Sequence, residues 1–140
     1  MAPLVPELYV SDFDHSLSFY TDVLGFTVRY ARPEEKFAYL EHNGAELMIE
    51  QPIGRVWLQA PLQRPYGRGL NLQIATQNAQ ALYRVVNAAD IVVQPIERRT
   101  YRRAFDTVEV EQFVIADPDG YLLRFSELLA TTPARSPATP

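Results

Sequence analysis

Apolar and polar residues alternate from Leu4 to Val10, with Leu4, Leu8 and Val10 on one face and Val5, Glu7 and Tyr9 on the other. That two-residue period predicts a strand. The period then lengthens. Phe13, Leu17, Tyr20 and Leu24 fall at helical spacing behind an acidic cap at Asp12 or Asp14, and Gly25 supplies the left-handed conformation that often closes a helix. Three short strands follow at 27–31, 37–41 and 45–50, the last two joined by a turn at Asn43-Gly44, a strong hairpin signal. The first half therefore reads βαβββ.

The same order returns after residue 69. Strand 70–75, helix 79–88 and strands 91–96, 108–116 and 121–126 are expected, with Asp117-Pro118-Asp119-Gly120 as the second hairpin turn. Self-similarity at about 60 residues is too long for a solenoid and indicates a duplicated module. The fold class is α+β, built from two βαβββ modules. Residues 1–129 make one domain, with module one at 4–51, a linker at 52–68 and module two at 69–127. The proline-rich end, 130–140, lacks apolar periodicity and is read as a disordered tail. The linker holds Trp57, the only tryptophan, and a second connection, 97–106, carries Tyr101 and Phe105 among several arginines. Aromatics in connections set on a rigid scaffold are candidates for binding.

Alternation also sorts the faces. Leu8, Val10, Leu47, Ile49, Leu72, Ile74, Leu123 and Phe125 are expected to face the helices. The other parity contains Glu7, Tyr9, Phe37, Tyr39, Met48, Glu50, Asn71, Gln73, Gln112, Val114, Arg124 and Ser126. Such a mixture suits either a solvated sheet face or a ligand cup with apolar walls and a few orienting polar groups. The pattern alone does not choose between them.

Composition narrows the function classes. With 140 residues, 47% of them hydrophobic, the chain can bury a real core. Its formal charge of −4 is spread along the sequence without a basic patch, so nucleic acid is not an expected partner. The absence of cysteine removes disulfides, thiolate nucleophiles and cysteine metal sites together. No signal peptide or membrane-spanning stretch is read, which makes the cytoplasm the expected location and excludes a membrane partner.

Residues 8–26, LYVSDFDHSLSFYTDVLGF, taken with residues 117–125, DPDGYLLRF, resemble the vicinal oxygen chelate superfamily of glyoxalase I, extradiol dioxygenases and bleomycin resistance proteins. The resemblance implies paired βαβββ modules forming a cup-shaped mixed sheet. Metal-dependent members take ligands from the first and last strands of the modules, positions that carry Val5, Met48, Asn71 and Arg124 here. Valine offers no donor, a thioether is a poor ligand for a divalent ion, and a guanidinium repels one. His15 and His42 are expected on the solvated surface. An oxygen-only site from Glu7, Glu50 and Gln73 is conceivable, but Arg124 would crowd the ion. No metal and no cofactor is therefore expected.

This departure, with the 45–50 and 122–125 segments, resembles the bleomycin resistance branch, whose members hold a drug without changing it. The resemblance implies a homodimer, often with exchanged strands, that places ligand at the junction of two chains. The expected function is metal-independent sequestration of a small molecule, foremost a bleomycin-type glycopeptide antibiotic, with no catalytic residue. A metal-dependent enzyme or a binder of another planar natural product are the rival expectations. The ligand-binding set is Glu7, Phe37, Tyr39, Met48, Glu50, Trp57, Asn71, Gln73, Tyr101, Phe105, Gln112 and Arg124. Aromatic faces there would hold planar rings or cations at about 0.5–2 kcal/mol per contact, and the glutamates would take cationic tails. The blander roles are cross-strand packing for Phe37 and Tyr39, an interface anchor for Trp57, and an Arg124 ion pair with Glu7 or Glu50.

Overall fold

A computed structural model describes residues 1–134. The element order is β1 (Glu7–Tyr9), α1 (Phe13–Ser18) running into a π-helical turn at Phe19–Val23, then β2 (Thr27–Arg32), β3 (Phe37–His42) and β4 (Ala45–Glu50). Module two follows with β5 (Asn71–Ala75), α2 (Ala79–Ala88), β6 (Val92–Arg102), β7 (Asp106–Ala116) and β8 (Leu122–Pro133). Each module forms one four-stranded sheet, ordered β1-β4-β3-β2 and β5-β8-β7-β6. β1 and β5 pair parallel with the last strand of their module while the other pairings are antiparallel, so both sheets are mixed. The duplicated βαβββ order read from the sequence is the observed architecture.

Local chemistry accounts for the helices. Asp12 caps α1 by accepting from the His15 amide, and Asn78 caps α2 by accepting from the Ala81 amide. The first helix does not stay regular to its end as expected: it widens into a π turn, which places Tyr20 fully inside the core. β1 is also shorter than expected. Prolines at 3 and 6 cannot donate to a ladder, and only the carbonyl of Pro6 joins it, accepting from the Met48 amide.

Two expectations about the C-terminal half are corrected. Residues 130–133, read as part of a disordered tail, belong to β8, where Glu109 pairs with Ala130 and Asp106 with Pro133. The rest of that expected tail, 135–140, lies outside the described residues. The 97–106 segment, read as a long connection, is mostly β6, and only a short turn at 103–105 separates it from β7. Thr100, Tyr101 and Thr107 have strand propensity that outweighs the interspersed arginines once β7 and β8 supply partners.

The helix-facing residues assigned by parity all belong to one core cluster or pack against it. That core runs through both modules, and a reciprocal exchange joins them. The β7–β8 turn docks on the start of module one: Tyr20 Oη donates to Asp117 Oδ2 at 2.8 Å, Tyr121 Oη donates to the Tyr9 carbonyl at 2.8 Å, and the Ser11 amide donates to Asp119 Oδ2 at 2.9 Å. Conversely the β3–β4 turn meets the end of β5, where Asn43 Nδ2 donates to the Ala75 carbonyl at 3.3 Å.

The linker is strapped to the same joint. Arg64 donates to the Pro118 carbonyl and to Asp119 Oδ1, each at 2.9 Å, and Tyr66 stacks edge-on to Tyr121. Gly120, at φ +102, lets Pro65 approach so closely that a Cβ would sit 2.6 Å from the proline ring.

Candidate functional site

The faces turned away from the helices carry the residues that parity assigned to the cup, but the two modules use them differently. In module two, cross-strand register aligns Gln73, Arg124 and Val114 in one row, and Gln112 with Ser126 in the next. Beyond these the face becomes apolar, with Val110 opposite Leu128 and Val108 close by on β7. Tyr101, at the end of β6, and Arg103, in the turn that follows it, close one side. Together they line a cavity of about 660 Å³, within the usual range for small-molecule sites.

Hydrogen bonding commits most polar groups of this cavity. Gln112 Nε2 donates to Tyr101 Oη at 2.6 Å and to Glu97 Oε1 at 3.2 Å, which fixes the Tyr101 ring in the wall. Arg103 is paired with Asp106, whose carboxyl is held below the ordinary range by that guanidinium. Glu127 accepts from the Ala79 amide at the start of α2. Arg124 stands apart. Its Nε is buried without a partner, and among the described residues no carboxylate lies within ion-pair distance of it. The pairing with Glu7 or Glu50 considered from the sequence is thus absent.

A second cavity, of about 480 Å³, opens at the other end of the same face between Asn71, Ala116, Leu122 and the strap at 65–70. Asn71 belongs there and does not share the first cavity with Arg124.

Module one fills its face instead of opening it. Phe37 and Tyr39 are buried, Tyr39 only 3% exposed, and Tyr30 stacks on Tyr39 with ring centroids 5.0 Å apart. Arg32 lies 4.0 Å above the Phe37 ring. Met48 pairs across from Tyr39, and the Trp57 amide donates to Tyr9 Oη at 2.8 Å, so the linker passes over this face. Cross-strand packing, the blander role for Phe37 and Tyr39, describes this arrangement. Burial pushes the Tyr39 phenol up, the neighbouring Glu46 carboxylate adding to it, and its hydroxyl has no partner.

Glu7 and Glu50 do meet on this face. Burial, and next the adjacent Glu7, push the Glu50 carboxyl up, as expected of two carboxyls that share a proton. Neither lines the 660 Å³ cavity; Glu50 borders a separate hollow with Glu34, Glu35 and Arg55.

The remaining candidates scatter. Trp57 is 71% exposed with Arg55 4.3 Å above its ring, and Phe105 is 86% exposed at the tip of the β6–β7 turn. Four of the twelve expected ligand residues, Gln73, Tyr101, Gln112 and Arg124, converge on one cavity. Sequence reasoning missed its apolar wall of Val108, Val110 and Leu128, and Arg103 besides. The signal was there in the alternation beyond Ser126, masked by the expectation that the strand ends.

One expectation about a polar group is also corrected. His42, expected in solvent, occupies the helix-facing parity of β3; its ring lies 5.1 Å from Phe26 and 5.8 Å from Phe125, with Nε2 buried and unpartnered. Glu111 on β7 is also buried, beside Arg98 at 3.3 Å.

Among the described residues no three of His, Asp and Glu gather where they could hold an ion, and Gln73 lies on a different sheet from Glu7 and Glu50. The four positions that the resemblance assigns to ligands do not fit a divalent metal either, since valine offers no donor and Arg124 bears a charge of the wrong sign. No helix of the described residues is long and apolar enough to cross a membrane.

Comparison with known proteins gives a consistent family. The model of the Glyoxalase/Bleomycin resistance protein/Dioxygenase superfamily matches residues 3–125. A solved structure of a member of that superfamily from Vibrio splendidus 12B01 is 38% identical, covering 89% of this chain and 97% of that one, at a TM-score of 0.43. A protein of unknown function from Agrobacterium tumefaciens str. C58 is 27% identical, over 92% and 95% of the two chains, with a TM-score of 0.64. TioX from Micromonospora sp. ML1 shares the fold at 17% identity, over 92% and 100%, with a TM-score of 0.68. No curated protein matches the chain significantly.

Proposed function

Because the chain belongs to the Glyoxalase/Bleomycin resistance protein/Dioxygenase superfamily, we propose that it binds and sequesters a planar small molecule, without a metal and without altering it. The observation that carries this reading is the module-two cavity: three aliphatic side chains and Tyr101 supply burial, while Gln73, Gln112, Arg124 and Ser126 supply orientation. A holding protein needs no more. General acid–base or nucleophilic chemistry needs a proton-transfer group beside the reacting atom. Glu127, the acid that lines the cavity, is tied to the Ala79 amide, and Glu97 and Asp106 behind its wall are held by Gln112 and Arg103.

The electrostatics favour another planar natural product over a bleomycin-type glycopeptide. Carboxylates for a cationic tail, Glu7 and Glu50, belong to the other module's face, whereas the cavity presents Arg124. Exposed apolar residues at its rim, Leu128 among them at 58%, suit closure by a second copy of the chain, in keeping with a homodimer.

The test is calorimetric titration with fused-ring natural products and with metal-free and copper-loaded bleomycin, on the native chain and on Val110→Trp, which fills the cavity. The proposal expects micromolar binding of at least one planar ligand, recovered unchanged by mass spectrometry, and loss of that binding in the filled variant. Turnover of the ligand that requires an added divalent metal would replace this reading with an enzymatic one.

A further inference from the structure

Within the cavity just assigned to ligand, we infer that the cargo is an anion, a planar aromatic carboxylate whose two oxygens are gripped by Arg124; this rests on the proposal that the module-two cavity is the binding site. The argument starts from what the other charged groups are doing. Arg103 is neutralised by Asp106, its Nε and a terminal nitrogen donating to the two carboxylate oxygens. Glu127 faces the amide end of α2, where its charge is already favoured by the helix dipole. Gln112 spends its amide nitrogen on Tyr101 and Glu97. One charge is left over.

That charge is Arg124, placed near the start of β8 between Gln73 of β5 and Val114 of β7, with the larger cavity on one side and the Asn71–Leu122 hollow on the other. Its Nε is out of water and donates to nothing. A buried donor on a cation that finds no acceptor is destabilising, and the deficit is removed when a carboxylate presents two oxygens to the guanidinium fork. The fork has a geometric preference as well, since a planar bidentate acceptor satisfies it better than a single hydroxyl or carbonyl. A cationic ligand would instead meet Arg124 in a partly apolar site where like charge is poorly screened. The neighbouring wall of Val108, Val110, Leu128 and Tyr101 selects for a flat apolar body attached to that acid.

The experiment is a fluorescence titration with three probes of one shape: anthracene-9-carboxylate, 9-anthracenemethanol and 9-(aminomethyl)anthracene. Native protein, Arg124→Gln and Arg124→Lys are compared, with circular dichroism confirming that each variant is folded. Native protein is expected to bind the carboxylate at least about tenfold more tightly than the alcohol, and the amine most weakly. Arg124→Gln should erase the preference by weakening the carboxylate far more than the alcohol, and Arg124→Lys should retain part of it. Equal affinity for the carboxylate and the alcohol, or a preference that survives Arg124→Gln, would overturn the inference and leave the sequestration proposal standing, with Arg124 free to pair with a carboxylate of a second copy. If none of the three probes binds, or if all bind equally to Val110→Trp, the cavity assignment fails and the inference with it.

Discussion

Replacing Tyr20 by Phe removes one oxygen from the joint between the modules and tests whether that joint holds the fold together. The Tyr20 hydroxyl is fully buried and donates to Asp117 Oδ2 at 2.8 Å. The other oxygen, Oδ1, accepts from the amides of Asp119 and Tyr121, each at 2.9 Å. Burial pushes the Asp117 carboxyl up, and these three donors hold it partly back; burial and the facing carboxylate also drive the Tyr20 phenol well above its ordinary value. Tyr20→Phe keeps the ring, so the expected loss is a hydrogen bond to a buried charged group, about 1.5–3 kcal/mol. Because the folded value of Asp117 is raised, the stability linked to this group is present below its unfolded value of about 3.9 and is lost as pH rises through the folded value. Removing a donor that stabilised the ionised form raises that value further, so the variant should lose most at about pH 8 and much less near pH 4. Urea denaturation of both proteins at the two pH values measures this. A change below about 0.5 kcal/mol at both would show that the hydroxyl contributes little to the joint.

Gly120→Ala should destabilise by about 2 kcal/mol or more in the same assay, because a Cβ there meets Pro65 at 2.6 Å and the residue sits at φ +102. Glu7→Gln should stabilise the protein above neutral pH and have little effect in acid: Glu50 is pushed up partly by Glu7, so its folded form loses stability as pH rises, and removing one carboxyl relieves that loss. Denaturation midpoints at about pH 5 and pH 8 test the sign. Truncation after Leu129 should leave the chain folded but raise amide exchange at residues 107–109, which pair with 130–132. Unchanged protection there would mean that the end of β8 adds nothing to the hairpin.

The duplicated order and the core were legible because both rest on periodicity, and the parity that named Leu8, Ile49, Ile74 and Phe125 as helix-facing needs no knowledge of how the modules meet. Helix α2, expected at 79–88, is observed over those residues. What escaped depends on partners distant in sequence. Residues 97–102 look like a charged connection until β7 lies beside them, and 130–133 look like a tail until they pair with 106–109. His42 shows the same limit: a histidine before an Asn-Gly turn reads as solvated, yet parity sends it inward against Phe26 and Phe125. For the site, alternation identified the face without showing that Phe37 and Tyr39 would pack under Tyr30 and Arg32 while module two stayed open.

The measurement that bears most directly on the central claim is a map of amide shifts in isotope-labelled protein as a planar ligand is added. The account expects the changes to centre on Gln73, Val110, Gln112, Arg124, Ser126 and Leu128, with the ligand's own spectrum unaltered at the end of the titration. Changes confined to Phe37, Tyr39, Glu50 and Trp57, or a ligand converted to product, would contradict it.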